Sequence, residues 1–427
     1  SNEAKRFSIT ANLTNKFLNN NLELQTGIYY GNSKSKNNTT ATDLLGVSQL
    51  GLRPYDLIAD SNNNGIDRVV LYQPSVTSEY TSQGYLPWTY NAIDQLSMSN
   101  TESNEDDVRL NVSLSAKVTP WLKATVSGMY QKKISDTRNL DELYSYNTRV
   151  LLNTFTTVNN GNLEYAIPLG GILNLNNAKS HNYNLRGQLD INKTWKGIHN
   201  LNALAGAEIR EVYSQSYGNK LYGFDEDTNQ SQSINPTVYN STVFGWSQKI
   251  GASNTSLSEN KNRYQSYYGN ASYAYKNTYV LTGSLRFDDY TLLGISRKDR
   301  IIPLWSLGGK WNMKNVDWIN NLSPRITYGT GGNVPTSGTV VPVISLPGND
   351  NITDEPYATI TTAANQNLGW ETTKTYNFGL DYSFFNNRLL GSIEYYTKKT
   401  YDILVNLPYN ATYGWSYLTF NAGTLKG

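Results

Sequence analysis

The sequence predicts an all-β fold, an antiparallel sheet curved into the wall of a transmembrane barrel, on three observations. Apolar and polar side chains alternate along segment after segment, short and long connections take turns between the segments, and tyrosines gather near the segment ends. A period of two marks a strand whose two faces meet different surroundings. A spanning strand needs apolar side chains only at every second position, so a chain of negative mean hydropathy remains compatible with a bilayer.

The elements justify this in chain order. Phe7, Ile9, Ala11 and Leu13 oppose Ser8, Thr10, Asn12 and Thr14, and after the turn at Asn19 to Asn21 come Leu22, Leu24, Ile28 and Tyr30 opposite Glu23 and Gln25. Val108, Leu110, Val112, Leu114, Ala116 and Val118 share a face against Arg109, Asn111, Ser113 and Lys117; Thr119 and Pro120 turn the chain into Leu122, Ala124 and Val126. Tyr183, Leu185, Leu189 and Ile191 pair in pattern with Leu201, Ala203, Ala205, Ala207 and Ile209. Tyr267, Ala271, Tyr273 and Tyr275 lead through Lys276 and Asn277 to Tyr279, Leu281, Leu285 and Phe287. Near the end, Tyr376, Phe378, Leu380, Tyr382 and Phe384 turn at Asn386 and Asn387 into Leu389, Gly391, Ile393 and Tyr395. Roughly a dozen strands result, most near the nine to eleven residues a tilted spanning strand needs.

Turns inside each pair are short, whereas the chain runs through polar stretches near 32–106, 132–181, 212–263 and 331–369 between pairs. Loops beyond about 15 residues are uncommon in compact soluble domains and expected on the outer side of a membrane barrel. The apolar face could still meet a second sheet, as in a secreted sugar-binding sandwich or adhesin module. Tyr30, Tyr130, Tyr183, Tyr275, Tyr279, Tyr382 and Tyr395 near strand ends favour lipid, with interfacial aromatic belts. On that reading Arg109, Arg186, Arg210 and Arg286 line a wet interior, while Val108, Leu110, Val112 and Leu114 face lipid. A passive, porin-like channel would carry the same alternation.

Composition narrows the function. The formal net charge of +2 across 427 residues gives no field to attract nucleic acid. With no Cys and only two His, His181 and His199, disulfides, thiolate chemistry and a His-rich metal centre drop out. There is no apolar run long enough for a spanning helix and no secretion signal in the opening SNEAKRFSITANL.

Four local patterns carry possible chemistry. DSNNNGID, 60–67, sets Asp60, Asn62, Asn64 and Gly65 at calcium-loop places, but Leu71 stands where the bidentate Glu belongs, so an Asn-rich turn is expected. YGTGGN, 328–333, lacks the following Lys and helix of a phosphate cradle and is expected to be a strand exit. The carboxylates of NEDD, 104–107, and DED, 225–227, are expected to be solvated in long polar connections, not catalytic. No nucleophile elbow is present, and the chain is expected not to be an enzyme, with no cofactor. Tyr85, Trp88, Phe244 and Trp246 are the candidate ligand-binding residues, since flat aromatic faces stack on sugar rings or peptide side chains; the alternative is that they pack the loops against one another.

The stretch NLGWETTKTYNFGLDYSFFNNRLLGSIEYYTKKTYDIL resembles the N-x-x-L-x-W-E to N-x-G-L-D segment and following hairpin of the SusC/RagA family of TonB-dependent outer-membrane transporters. YAYKNTYVLTGSLRFDD, PLWSLGGKWN and SPRITYGTGGN resemble that family's preceding strands in the same order. Lys310 separates Gly309 from Trp311, and Asp289 follows Arg286-Phe287-Asp288, where the family has other residues. The resemblance is strong from about residue 260 and weaker from residue 1. It implies a barrel of about 22 strands with an N-terminal plug, and neither plug, TonB-contacting segment nor terminal aromatic strand is in this sequence. An internal portion of the barrel, roughly half of a full transporter, is therefore expected. It further implies location in the bacterial outer membrane, active import of a bulky nutrient (an oligosaccharide or oligopeptide), energy supplied by the TonB complex, a SusD-like lipoprotein lid over the long loops, and contact with outer-membrane lipid.

Overall fold

The structure, a computed structural model, describes residues 2–38, 56–69, 72–251, 253–290, 302–313, 318–333, 339–349, 353 and 355–427. The sequence alternation becomes one antiparallel sheet. Its first strands are β1 (Glu3–Phe17) and β2 (Leu22–Asn38). A short ladder of β3 (Asp67–Val69) with β4 (Thr89–Asn91) lies in the first long loop, which also holds the helices Pro74–Ser82 and Ala92–Met98. The sheet continues with β5 (Ser99–Thr119) and β6 (Leu122–Asp141), followed by the helix Tyr146–Thr154 and the small hairpin β7 (Thr156–Asn159) and β8 (Asn162–Tyr165). Then come β9 (Gly171–Trp195) and β10 (His199–Asp225), with β11 (Gln230–Gln232) beside the end of β10 and a further hairpin of β12 (Tyr239–Ser241) and β13 (Ser247–Lys249). The remaining sheet strands are β14 (Thr255–Tyr275), β15 (Tyr279–Tyr290), β16 (Ile302–Trp311), β17 (Ile319–Asn333), β20 (Glu371–Phe384), β21 (Leu389–Pro408) and β22 (Tyr417–Lys426), with β18 (Val343–Asn349) and β19 (Pro356–Thr362) paired in the loop before β20.

Neighbours in the sheet are neighbours in sequence: β1-β2-β5-β6-β9-β10-β14-β15-β16-β17-β20-β21-β22. The tight turns have a backbone reason. Lys276 and Asn277 both adopt positive φ, 53° each, the left-handed pair that joins twisted antiparallel strands without splaying them. Asn19 and Asn20, and likewise Asn386 and Asn387, hold the same region, which Asn tolerates because its short amide bonds locally.

Register confirms which side chains share a face. Val108 lies opposite Tyr30 and Leu110 opposite Ile28 and Tyr130, while Phe378 pairs with Tyr395 and Leu380 with Ile393. These apolar residues stand exposed on one side of the sheet; Phe7, Ile9, Leu13, Val112, Leu185, Leu281, Ile326 and Ile393 are each at least 49% accessible. Among the described residues no second layer covers them. From Val108 to Val118, eleven residues tilted by about 45° rise about 25 Å, the height of a bilayer's apolar band.

Two expectations need correction. Strands near nine to eleven residues are too short for most of this sheet: β5 has 21 residues, β9 has 25 and β10 has 27. The ribbons continue past the apolar band, so residues 32–38, 99–106, 132–141, 171–181, 212–225 and 255–263 belong to strands. Beyond the bilayer water wets both faces, and the alternation that marks a strand fades. For the same reason the NEDD carboxylates lie on β5 and not in a connection. Asp106 accepts from the Tyr30 hydroxyl at 2.9 Å and from Asn32 at 3.0 Å, and Glu105 pairs with Lys133 at 2.8 Å.

Candidate functional site

Two arrangements sit opposite the apolar band or at its outer end. The first is a polar wall on the inner face of the sheet. In β9 and β10, Arg186 lies across from Glu208 and donates to its carboxylate through Nη2 at 2.6 Å and Nε at 2.9 Å, while Asn184 donates to the other oxygen at 2.8 Å. The Tyr268 ring lies between the guanidiniums of Arg186, 5.8 Å from its centroid, and Arg286, 5.9 Å away. Its hydroxyl donates to Gln188 at 3.0 Å, and Arg286 in turn donates to Asp288 at 2.8 Å. Gly206 makes this packing possible: a Cβ there would fall 2.5 Å from the Tyr268 hydroxyl and 2.7 Å from the Gly187 carbonyl oxygen. Arg210 lies 4.2 Å over the Tyr264 ring, and Arg109 is 3.7 Å from Asp107. Arg109, Arg186, Arg210 and Arg286 thus share the face opposite the apolar band, as their sequence positions predict.

Further along, Lys310 reaches Asp381 at 3.0 Å, Arg325 lies 3.5 Å from the other oxygen of Asp381, and Arg325 also pairs with Glu394. Gly379 leaves space for that guanidinium, because a Cβ would meet Arg325 Cζ at 2.7 Å. Lys310, an exception to the resembled motif, therefore has a defined inward partner.

The second arrangement is a cap formed where three long loops leave the same end of the sheet. Leu152, Phe155, Ile167, Ile172 and Tyr222 form a buried cluster, with Leu86 from the first loop and Ile234 and Ile250 from the third packed on it. Polar clasps fix the parts. Arg149, buried on the helix Tyr146–Thr154, donates from Nε to the Tyr144 carbonyl at 2.9 Å, from Nη2 to the Thr89 carbonyl at 2.8 Å, and from Nη1 to the Pro87 carbonyl. One helical turn on, fully buried Asn153 donates to the Leu86 carbonyl at 2.8 Å and accepts the Leu86 N–H at 3.1 Å. Ser145 caps that helix by accepting the Thr148 N–H at 3.3 Å. Burial pushes the Tyr146 hydroxyl up to about 12 against a partial counter-pull from Arg149, and burial holds the Arg149 guanidinium below its ordinary value.

The four candidate aromatics divide here. Trp88 is 2% and Tyr85 5% exposed, and the Tyr85 hydroxyl donates to the Thr156 carbonyl at 3.2 Å, so both pack loop against loop and present no free face to a ligand. Phe244 lies 5.2 Å from Tyr72 and 6.4 Å from Trp88, and Trp246 stacks on Phe244 at 4.9 Å with 56% of its surface open. Its turn is held by Thr242, whose N–H and hydroxyl both donate to the Trp246 carbonyl at 2.8 Å. Sequence alone did not separate the open ring from the buried ones, and it missed Tyr72, Arg149 and Asn153, which have neither motif nor periodicity.

The remaining patterns fall out simply. Asp60 accepts the N–H groups of Asn62 and Asn64, each at 2.8 Å, which draws its carboxyl below the usual range and makes an Asn-rich turn. Residues 328–333 end β17. Asp225 accepts the N–H groups of Asp227 at 2.9 Å and Thr228 at 3.1 Å, and Glu226 pairs with Arg138 at 2.9 Å. Among the described residues no group of three or more His, Asp or Glu is placed to hold a metal ion, and no helix is long and apolar enough to cross a membrane.

Comparison with known proteins agrees with this geometry. Residues 51–427 match the family model described as TonB dependent receptor-like, beta-barrel. TonB-dependent receptor P39 of Formosa agariphila is 28% identical over 337 residues, which are 78% of this chain and 29% of that protein. TonB-dependent receptor SusC of Bacteroides thetaiotaomicron is 30% identical over 180 residues, 39% of this chain and 18% of that protein. Among solved structures, the RagAB peptide transporter superposes with a TM-score of 0.73 at 17% identity, over 99% of this chain and 43% of that one. The chain thus spans less than a third of the length of these two curated relatives and less than half of that transporter chain.

Proposed function

Because the chain belongs to the TonB-dependent receptor-like β-barrel family, we propose that it forms part of the wall and loop cap of a bacterial outer-membrane importer for a bulky nutrient, an oligosaccharide or oligopeptide. One observation carries this reading: a single sheet with a lipid-height apolar band on one face carries ion pairs and polar side chains on the other. Such a wall encloses a wet passage. The cap at its outer end supplies an aromatic face, Trp246 on Phe244, on which a sugar ring or an apolar peptide side chain can stack.

Energy comes through TonB acting on a plug held in the complete barrel, and a SusD-like lipoprotein closes over the loops as a lid. The test is uptake by cells carrying the complete transporter, measured before and after collapse of the proton gradient and in a strain without TonB. Uptake that stops in both conditions supports active import. Undiminished uptake would make the protein a passive channel and end this proposal.

A further inference from the structure

The outward face does not become neutral where the apolar band ends. Tyr130 on β6 and Tyr183 on β9 are register partners at the outer rim of the band, and both are exposed. Two residues further along each strand, on the same outward face, Lys132 lies opposite His181, and His181 lies opposite Tyr213, its ring stacked on that tyrosine at 4.5 Å. The next outward residue of β9 is Lys179, set against Ile134 and Gln215. At about 3.3 Å per residue this places the cationic groups within one headgroup thickness of the aromatic collar.

The nearby acids are already engaged. Asp106 is held by Tyr30 and Asn32, Asp136 accepts from the Asn177 amide, and Glu259, in the register row of Lys179 and Gln215, hydrogen-bonds Tyr213. Glu211 binds Arg263 at 2.6 Å, Lys261 at 3.4 Å and the Tyr183 hydroxyl at 3.2 Å. Lys132 and Lys179 make no ion pair among the described residues.

A second, independent feature lies just above. The strand extensions border an outward cavity of about 760 Å³ whose lining includes the cations Lys5, Lys34, Lys36 and Arg138, the acids Glu3, Glu102 and Asp136, and Leu175 and Tyr217. Lys36, Glu102, Arg138 and Leu175 form one register row across β2, β5, β6 and β9. This volume is far larger than a single phosphate needs, and it mixes charged groups with an aromatic ring and a leucine.

We propose that this outward face binds the phosphorylated headgroup of a lipid of the surrounding leaflet, its phosphate on Lys132, Lys179 and His181 and the rest of its polar head in the cavity above. The inference rests on the lipid-facing assignment of the apolar band. A lipid is the fitting occupant because its acyl chains would lie against Leu185, Val126 and Leu110 directly below the cationic row, and a water-soluble anion would gain nothing from that surface.

The test uses the complete transporter purified from its native membrane, with bound lipid counted by native mass spectrometry and binding to vesicles measured with intact or dephosphorylated lipopolysaccharide. The triple variant Lys132→Gln, Lys179→Gln, His181→Gln is compared with Lys133→Gln, an equal-height change on the inner face. Loss of the two lysines is expected to lower lipid retention about 30-fold, the equivalent of about 2 kcal/mol, while Lys133→Gln leaves it unchanged. Dephosphorylated lipid is expected to bind the unaltered protein as weakly as intact lipid binds the variant. Equal retention by the triple variant and the unaltered protein would overturn the proposal, as would equal binding of the two lipids or full displacement of lipid by millimolar inorganic phosphate. If the triple variant does not assemble, Lys132→Gln alone and the lipid pair on the unaltered protein read the same interaction. A transporter that stays dispersed without detergent would instead overturn the lipid-facing assignment itself.

Discussion

Replacing Val112 by Lys tests the facing of the whole sheet. Val112 is 50% exposed, on the outward face between Leu110 and Leu114. It stands four residues from Val108 and six from Val118. At about 3.3 Å per residue and a tilt near 45°, it therefore lies about 9 Å below the outer edge of the apolar band and about 14 Å above the inner one. Neither edge is within easy reach of a lysine ammonium, so the full midplane penalty of about 2 to 4 kcal/mol applies. A value of about 3 kcal/mol lowers the ratio of inserted to unfolded protein by roughly 150-fold. Val108→Lys, at the outer rim, is expected to cost about 0 to 1 kcal/mol. Asn111→Leu, one residue away on the wet face, is expected to change stability by about 0.5 kcal/mol or less. Folding of the complete transporter into lipid vesicles, followed by denaturant titration and by the heat-modifiable shift on gels, measures all three. A larger loss for Asn111→Leu than for Val112→Lys would reverse the assignment and with it the lumen.

Three further outcomes follow from the cap and the wall. Arg149→Ala removes the donor to three carbonyl oxygens, those of Pro87, Thr89 and Tyr144, and the resulting loss of about 3 kcal/mol is expected to appear as rapid protease cleavage within residues 72–98 and 142–170 while the sheet stays resistant; unchanged cleavage would refute the clasp. Because Tyr146 titrates near 12 when folded and near 10 when unfolded, its contribution is whole below pH 10 and lost as pH rises toward 12, up to about 3 kcal/mol; the cap's protease resistance should fall in that window, and Tyr146→Phe should flatten the fall. Trp246→Ala is expected to weaken substrate binding by about 1 kcal/mol with no change in assembly, whereas Trp88→Ala should destabilise the cap by about 3 to 5 kcal/mol; equal effects of the two on folding would refute their separation into open and buried rings.

Sequence made the bilayer-high part of the sheet legible because lipid on one face and water on the other force a period of two. Val108 to Val118 and Tyr376 to Phe384 carry it without interruption, and their observed register follows it. The strand ends beyond the band were not legible for the same physical reason. In VYSQSYGNK, 212–220, both faces are wet and neither needs apolar residues, yet all nine positions are paired with β9 and the first eight also with β14. Nor could the cap be read, since its contacts join Leu86, Leu152 and Ile234 across three loops. The helix that organises it turns Arg149 and Asn153 inward, where a periodicity search expects apolar residues. Of the four candidate aromatics, only burial separated the open Trp246 from Trp88 and Tyr85, and no pattern in the sequence carries that difference.

That construction constrains how the cap can move. One loop cannot swing away alone, because withdrawing Leu86 or Ile234 from the shared cluster exposes apolar surface worth about 1.5 to 3 kcal/mol per side chain, and withdrawing the loop of Leu86 also breaks the Arg149 and Asn153 clasps. At its base the cap meets the sheet through Ile172 of β9 and Tyr222 of β10, both in the shared cluster, and through a close backbone approach: a Cβ on Gly170 would lie 2.7 Å from Gly223 Cα, and Gly223 itself holds φ 58° at the register shift between Leu221 and Phe224. Pro168 lies against Gly223, and Leu140, Leu173 and Phe224 form a buried cluster beside this contact, so the base of the cap is packed by side chains as its top is. Rearrangement at the mouth of the passage therefore costs least when the three loops move as one body. Trp246 then travels with that body, and a ligand stacked on it would be carried with the cap.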